Sequence, residues 1–91
     1  MKRFLRATVR GNVQGVFFRD FAKTEAEKLG VCGWVANRPD GSVDIEAEGE
    51  IEALTVLVTL LRRGPPRSRV DDVDFEWGDF AGRFSRFEVR Y

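Results

Sequence analysis

The chain of 91 residues contains no histidine. Without an imidazole it cannot form the Ser–His or Cys–His pair that activates a nucleophile in many hydrolases, and it cannot form a histidine-containing metal site. It also has no CxxC motif, and Gly11 and Gly15 are not followed by the lysine that a GxxxxGK[ST] phosphate loop requires. Any chemistry of this chain must therefore rely on other groups.

Long apolar runs, disulfide partners and an excess of charge are absent as well. Cys32 is the single cysteine, which agrees with a reducing compartment, and the N-terminal segment MKRFLRATVR lacks the apolar core of a signal peptide. Fifteen Lys and Arg balance fifteen Asp and Glu, so no net charge recruits nucleic acid or anionic lipid. We expect a cytoplasmic protein, monomeric in the simplest case, with no nucleic-acid partner and no membrane partner.

The residues that are present predict one domain over residues 1–91, with a modest core. Three- and four-residue spacing of apolar positions predicts a helix at about 19–29, with Gly30 placed to end it at C′. A second helix is predicted at about 50–62, since Gly64 and two prolines follow it. Both helices have one apolar face, so both must pack against another layer.

Period-two alternation predicts the strands. The first spans about 4–10, and VCGWVAN, RPDG and SVDIEAEG predict a strand, a tight turn at Asp40-Gly41 and a second strand. Further alternation predicts a strand around residues 72–77 and a last segment at the C-terminus. The aromatic residues of these two segments share the phase of the aliphatic positions and are predicted to lie in the core: Phe75, Trp77, Phe87 and Tyr91.

This order, βαββαβ with a possible extra strand, has one economical arrangement. Both helices cover the same face of a mostly antiparallel sheet of four or five strands, which is the ferredoxin-like α/β sandwich of the α+β class. Such sandwiches serve RNA binders, ligand sensors, metal chaperones and enzymes, so the fold alone does not define a function.

The connection GNVQGVFFR at residues 11–19 joins the first strand to the first helix. A helix N-terminus has unpaired N–H groups and a positive dipole, and so it suits an anion. If Gly11 and Gly15 let the loop curl, the amides from Gln14 to Arg19 converge into a phosphate cradle, and Arg19 adds a fork of donors. The alternative is an ordinary glycine-rich turn followed by a surface charge.

Asn37 follows the second strand and precedes Arg-Pro-Asp-Gly. In this position asparagine is most often a turn residue that satisfies nearby backbone groups. In a βαββαβ sandwich, however, the end of the second strand can lie near the first loop, so Asn37 could present its amide beside the cradle. Sequence spacing leaves both interpretations open.

Two segments, GNVQGVFFR and GWVANRPDGSV, together resemble the paired signature of the acylphosphatases, which is close to GxVQGVxFR followed by GWVxNxxDGxV. The similarity continues in AEG before the second helix, RRGPPRSRVDDV after it and the terminal FEVRY. The departures are small: Asn12 stands where many relatives have a basic residue, and Phe17 is bulkier than the small residue often found at its position.

The resemblance implies an enzyme that hydrolyses a small-molecule acyl phosphate to carboxylate and phosphate. It implies that Arg19 holds the substrate phosphate and that Asn37 orients the attacking water. The backbone of the preceding loop matches the phosphate cradle: Gln14, Gly15, Val16, Phe17 and Phe18. No metal, cofactor or covalent intermediate is implied, and inorganic phosphate is expected as product and inhibitor.

The residue inventory agrees with this chemistry. The leaving carboxylate has a conjugate acid with a pKa of about 4, so its departure needs no proton donor, unlike that of an alkoxide. Amides, one guanidinium and one asparagine can position and neutralise charge, which are the main requirements of phosphoryl transfer. Because Asn37 cannot accept the proton of the water, phosphoryl oxygens or solvent must take it.

Two rival functions also have sequence support. Cys32 and Arg38 match the CxxxxxR spacing of cysteine phosphatases, but that loop must curl at a helix N-terminus and GWVAN is predicted to be a strand. The βαββαβ order is also that of RNA-recognition domains, which display aromatics on an exposed sheet face and carry basic charge. Trp34 is the one aromatic whose facing the sequence leaves uncertain.

Overall fold

The computed structural model describes all residues 1–91 and contains seven regular elements. In chain order they are β1 (Lys2–Asn12), α1 (Phe18–Lys28), β2 (Cys32–Asn37), β3 (Val43–Glu50), α2 (Ile51–Arg63), β4 (Arg69–Asp79) and β5 (Phe87–Arg90). The predicted order is confirmed, including the extra strand. Both helices begin and end within one residue of the predicted limits, whereas β1 and β4 are longer than their alternating segments because they pair with each other.

The sheet has five strands in the order β4-β1-β3-β2-β5. β1 runs antiparallel to β3 and β4, β2 runs antiparallel to β3, and β5 runs parallel to β2. The first four strands therefore have the arrangement of the ferredoxin-like sandwich, which confirms the predicted fold class. β5 widens the sheet beside β2, at the edge where the chain ends.

One hydrophobic core lies between the helices and one face of the sheet. The apolar stripe of α2 is fully used, since Leu54, Leu57, Val58 and Leu61 are all buried. The complete core has 17 buried members: Leu5, Ala7, Val9, Val13, Phe18, Ala22, Ala26, Val31, Val35, Val43, Ile45, Ala47, Leu54, Leu57, Val58, Leu61 and Phe87. Neither helix has the length and hydropathy needed to cross a bilayer.

The aromatic residues near the C-terminus do not all lie in the core. Phe87 is buried as predicted, but Phe75 and Trp77 are 39% and 37% exposed and Tyr91 is 98% exposed. The prediction was wrong for Tyr91 and too strong for the other two. Phe75 pairs with Ala7 and Trp77 with Leu5, so both lie on the expected face of the sheet. Their strand, however, is at the edge of the sheet and has a neighbouring strand on one side only, which leaves the two rings partly exposed.

The turn between β2 and β3 is longer than predicted. It takes five residues, 38–42, closed by a 2.8 Å hydrogen bond from the Arg38 N–H to the Ser42 carbonyl. Asp40 accepts hydrogen bonds from the Ser42 hydroxyl and the Ser42 backbone N–H, and these bonds lower the pKa of its carboxyl group. The turn therefore includes Ser42 in addition to the predicted RPDG segment, and Asp40 supports it from within.

Two acidic side chains of β3, Asp44 and Glu48, are buried although they alternate with the apolar residues that face the core. Asp44 accepts a 2.9 Å hydrogen bond from the Thr8 hydroxyl and forms an ion pair with Arg38. Burial of Glu48 opposes its ionisation, but the backbone N–H groups of Ala81 and Arg83 and the Arg83 guanidinium outweigh burial and lower the pKa of Glu48. A central strand is thus covered on both faces.

Candidate active site

Gly11 does not belong to the loop, contrary to our expectation. It is part of β1, at a bulge where the register with β4 shifts between Arg10 and Gly11. A Cβ atom here would lie 2.1 Å from the Arg69 carbonyl oxygen, and φ is 134°. Gly11 is therefore required for the close approach of two strands, and the curl of the loop depends on other residues.

The loop between β1 and α1 turns at two residues with left-handed backbone. Gly15 has φ 73° and no neighbour within 4 Å of an added Cβ, so its requirement is conformational. Phe17 has φ 65° and ψ 27° at the N-cap of α1. The buried side chain of Val13 anchors the start of the loop in the core, and the buried Phe18 anchors its end.

The backbone N–H groups of residues 14–19 donate to no carbonyl of the chain. Part of this follows from helix geometry, because the first N–H groups of a helix have no intrahelical acceptor. Here the unpaired donors extend back through the whole loop, and the positive end of the α1 dipole lies at the same place. The segment thus offers consecutive free donors to an anion.

The side chain of Gln14 joins this loop to the turn after β2. Its Nε2 donates to the Arg38 carbonyl oxygen at 2.7 Å and to the Ser42 carbonyl oxygen at 2.9 Å. Both N–H hydrogens of the amide are therefore used across the gap between two loops. The sequence placed Gln14 in the site only through its backbone, and this role of the side chain was not predicted.

Asn37 is the last residue of β2, directly before the turn that Gln14 holds. Asn37 lines the same pocket as Gly15 and Arg19, so the end of the second strand lies near the first loop. The side-chain hydrogen bonds that support the turn are accepted by Asp40 from Ser42 and donated by Gln14 to the turn carbonyls. The turn therefore does not use the Asn37 amide as its cap.

Arg19 lies in the first turn of α1 and reaches the C-terminal end of β5. One guanidinium nitrogen, Nη1, is 3.4 Å from the Arg90 carbonyl oxygen, and the guanidinium carbon lies 4.6 Å from the centre of the Tyr91 ring. Arg19 forms none of the ion pairs of the molecule, whereas Arg10 and Arg38 are paired with aspartates, which raise the pKa of both. The Arg19 charge remains available to a bound anion.

These groups enclose a pocket of about 290 Å³. Its walls are formed by Val13, Gly15, Phe17, Phe18, Arg19, Asp20, Asn37 and Tyr91. Of the predicted substrate-binding residues, Gln14 and Val16 are outside this wall. Asp20 and Tyr91 line the pocket as well, although neither was predicted to be a site residue. Tyr91 could not have been found from spacing, because its position depends on β5 lying parallel to β2.

The two rival functions find little support in this geometry. Residues Cys32 to Asn37 form an extended strand, so Cys32 and Arg38 do not share the curled loop that a cysteine phosphatase needs. Trp34 is half-buried, and Arg90 lies over its ring at 4.8 Å from the centre. The ring of Trp34 therefore already has a cation partner.

Comparison with known proteins agrees with the resemblance. A family model described as Acylphosphatase matches residues 5–89. A protein named Acylphosphatase from Anaeromyxobacter dehalogenans is 51% identical over 86 residues, covering 94% of this chain and 92% of that protein. One of the same name from Dehalococcoides mccartyi is 46% identical over 88 residues, covering 96% and 97%. The crystal structure of acylphosphatase from Bacillus subtilis has a TM-score of 0.93 and 41% identity, with both chains covered completely.

Proposed function

Because the chain belongs to the acylphosphatase family, which are hydrolases of acid anhydrides, we propose that it cleaves the carboxyl–phosphate bond of acyl phosphates by direct attack of water on phosphorus. One observation carries the assignment of the site. One pocket is lined by Arg19, which forms no ion pair, by Asn37, and by Gly15, Phe17 and Phe18 of the loop whose N–H groups are free. Each of these groups has a separate role in the reaction.

The loop and Arg19 bind the phosphoryl group. Backbone N–H groups supply dipoles that are already fixed before substrate arrives, and the guanidinium supplies a planar fork of charged donors. Fixed donors of this kind stabilise the charge that develops on the equatorial oxygens without a cost of reorganisation during the reaction. The N-terminus of α1 adds its dipole to the same position.

Asn37 orients the water. Its amide can accept a hydrogen bond from water through Oδ1 or donate one through Nδ2, and no contact of the turn occupies it. The Gln14 bridge holds the turn against the cradle, which fixes the end of β2 relative to the phosphate. Positioning of this kind makes the attack of water effectively unimolecular, because the water is already held beside the phosphorus atom.

In the reaction a bond forms between the water oxygen and phosphorus, and the bond from phosphorus to the acyl oxygen breaks. The electron pair of the broken bond stays on the carboxylate, whose conjugate acid has a pKa of about 4, so this oxygen needs no proton to leave. The proton of the attacking water passes to a phosphoryl oxygen or to solvent. The products are one carboxylate and one phosphate, and no redox partner takes part.

The proposed enzyme has three further properties. The reaction needs neither metal nor cofactor, because the amides and Arg19 supply the charge stabilisation that a cation would give. Inorganic phosphate inhibits competitively, since it fits the same cradle as the phosphoryl group. The unit that carries the activity is a single cytoplasmic domain, residues 1–91, acting as a monomer.

The test compares two substrates in the presence of a chelator. We expect rapid hydrolysis of an aryl acyl phosphate with EDTA present, and rates at least about a thousandfold lower on an alkyl phosphate monoester, whose alkoxide is far more basic and would have to leave without the help of an imidazole acid, since the chain has no histidine. Comparable rates on the two substrates, or activity that depends on an added divalent metal, would overturn the proposal.

A further inference from the structure

Phe17 is an aromatic side chain that the proposed mechanism does not use. It is 70% exposed and lines the pocket. Single exposed apolar residues are common, so exposure alone has no functional meaning. The other exposed aromatic rings each have a partner: Tyr91 has Arg19, Phe80 has Lys2, and Phe75 has Arg62 and Trp77. The ring of Phe17 has neither a cation nor an aromatic neighbour.

The backbone of Phe17 sets it apart as well. It is the only residue other than glycine with a positive φ, at 65°. A bulky side chain in the left-handed region costs about 1–2 kcal/mol, and such outliers concentrate at functional sites. Phe17 is also the N-cap of α1, and its carbonyl accepts a 3.0 Å hydrogen bond from the Phe21 N–H. The left-handed backbone therefore sets the direction in which the Cα–Cβ bond of this unpartnered side chain leaves the loop.

The pocket has both a polar and an apolar part, as an acyl phosphate does. Arg19, Asp20, Asn37 and the loop amides form the polar part, and Val13, Phe17, Phe18 and Tyr91 supply the apolar surface. Val13 and Phe18 are almost completely buried, so the apolar surface open to a ligand belongs mostly to the two exposed rings, Phe17 and Tyr91. The Tyr91 ring already lies against Arg19. Phe17 is the free ring.

We propose that Phe17 determines substrate specificity by contacting the acyl group, and that aromatic acyl phosphates are the preferred substrate class. This proposal rests on the proposed function, because the phosphoryl group must occupy the cradle for the acyl group to reach the ring. A benzoyl ring can lie edge-on or offset against Phe17, whereas the methyl of an acetyl group covers little of it. Because Phe17 is largely exposed to solvent, we expect its contact with the acyl group to change kcat/KM only moderately.

The experiment compares benzoyl phosphate with acetyl phosphate. kcat/KM is measured for both substrates with the unchanged protein, with Phe17→Ala and with Phe17→Asn, which tolerates the left-handed backbone and keeps the variant set informative if alanine misfolds. Phe80→Ala is the matched control, an exposed aromatic 43% accessible and outside the pocket. The ratio of the two kcat/KM values removes any loss common to both substrates, and comparison of this ratio between each variant and the unchanged protein cancels the different intrinsic reactivities of the two anhydrides.

We expect the ratio of benzoyl to acetyl kcat/KM to fall about three- to tenfold in both Phe17 variants, the value of one aromatic contact. It should stay unchanged in Phe80→Ala. A ratio unchanged within about twofold in the Phe17 variants, or an equal fall in Phe80→Ala, would overturn the assignment of Phe17 while leaving acyl phosphate hydrolysis in place.

A binding measurement makes the inference testable even without turnover. Calorimetric titration gives the affinity of phenyl phosphate relative to inorganic phosphate for the same four proteins. We expect Phe17→Ala and Phe17→Asn to lower this relative affinity by a similar three- to tenfold, through loss of the ring contact. Equal relative affinities in all four proteins would contradict the role of Phe17. Absence of acyl phosphate hydrolysis in the unchanged protein would instead contradict the proposed function.

Discussion

Arg19 and Asn37 are held in the pocket in different ways. The guanidinium of Arg19 is set by the Arg90 carbonyl and the Tyr91 ring, while the Asn37 side chain depends on the position of the end of β2. The sequence could indicate both residues because each lies in a short segment with a recognisable pattern. It could not indicate Tyr91, because contact with Arg19 arises only when a strand far along the chain joins the sheet beside β2.

Replacement of Arg19 should remove binding and turnover together. We expect Arg19→Ala to lower kcat/KM by about a thousandfold or more, because the charged fork is lost where the transition-state charge develops. Arg19→Lys should not restore activity, since a point ammonium cannot make two parallel contacts. Inorganic phosphate should no longer inhibit either variant. Turnover near normal in either one would exclude Arg19 from the mechanism.

Replacement of Asn37 should separate binding from chemistry. Asn37→Ala leaves the loop amides and Arg19 in place, so inhibition by phosphate should change little while kcat falls about a hundredfold or more. The melting temperature serves as the control, because a turn residue would be revealed by lost stability with normal turnover. A less stable but fully active Asn37→Ala protein would show that its role is structural.

Loops and strands determine how these residues meet. The helices were predicted closely because each has a continuous apolar stripe, and Gly64 with two prolines marks the end of α2. The ends of β1 were predicted less closely, because the length of a strand depends on the strands that pair with it as well as on the alternation of its own residues. Gly11 was assigned to the loop because a glycine can serve a turn or a close approach of strands, and only the bulge beside Arg69 distinguishes them.

The bridge from Gln14 to the turn after β2 should matter for activity as well as for stability. Gln14→Leu removes two hydrogen bonds to backbone carbonyls, and we expect a loss of about 1–3 kcal/mol in the free energy of unfolding. We also expect kcat/KM to fall about tenfold or more, because a small displacement of the Asn37 turn misplaces the water. Both quantities are measured on the folded protein.

Ser68→Ala provides the comparison for Gln14. The Ser68 hydroxyl donates to the Pro65 carbonyl at 2.7 Å, in a turn between α2 and β4 and away from the pocket. This variant should lose stability and keep its kcat/KM. If Gln14→Leu behaves in the same way, the bridge supports the fold and has no part in positioning Asn37.

At the scale of the whole molecule, the fold class agrees with the sequence prediction, whereas the edges of the sheet differ from it. Alternating strands and one-sided helices sufficed to predict a ferredoxin-like sandwich, because few arrangements bury all those faces at once. Alternation could not show that β4 forms an edge, which leaves Phe75 and Trp77 partly exposed. Nor could it show that the segment after β4 covers Glu48 with two N–H groups and a guanidinium.

Glu48 should make the stability of the molecule sensitive to acid. Its pKa is lowered in the folded protein, so its contribution is fully present above the ordinary glutamate pKa of about 4.3 and is lost as the pH falls through the lower folded value. We expect the free energy of unfolding to decrease below about pH 4.3 and Glu48→Gln to show a weaker decrease. At pH 7 that variant should be about 2 kcal/mol less stable.

Glu88→Gln is the matched control for this pH dependence. Glu88 forms an ion pair with Arg86, but both side chains are well exposed, so the pair should contribute less than about 0.5 kcal/mol. Urea unfolding at several pH values compares the three proteins. An identical pH profile for Glu48→Gln and the unchanged protein would mean that Glu48 does not drive the acid sensitivity.

The most direct test of water attack at phosphorus is hydrolysis of benzoyl phosphate in water enriched in oxygen-18, with EDTA present. Mass spectrometry of both products then identifies the bond that breaks. If Asn37 directs water to a phosphoryl group held by the loop and Arg19, the heavy oxygen appears in phosphate, one atom per molecule, and benzoate stays unlabelled. Heavy oxygen in benzoate would show attack at the carbonyl carbon and would contradict the site as we have assigned it.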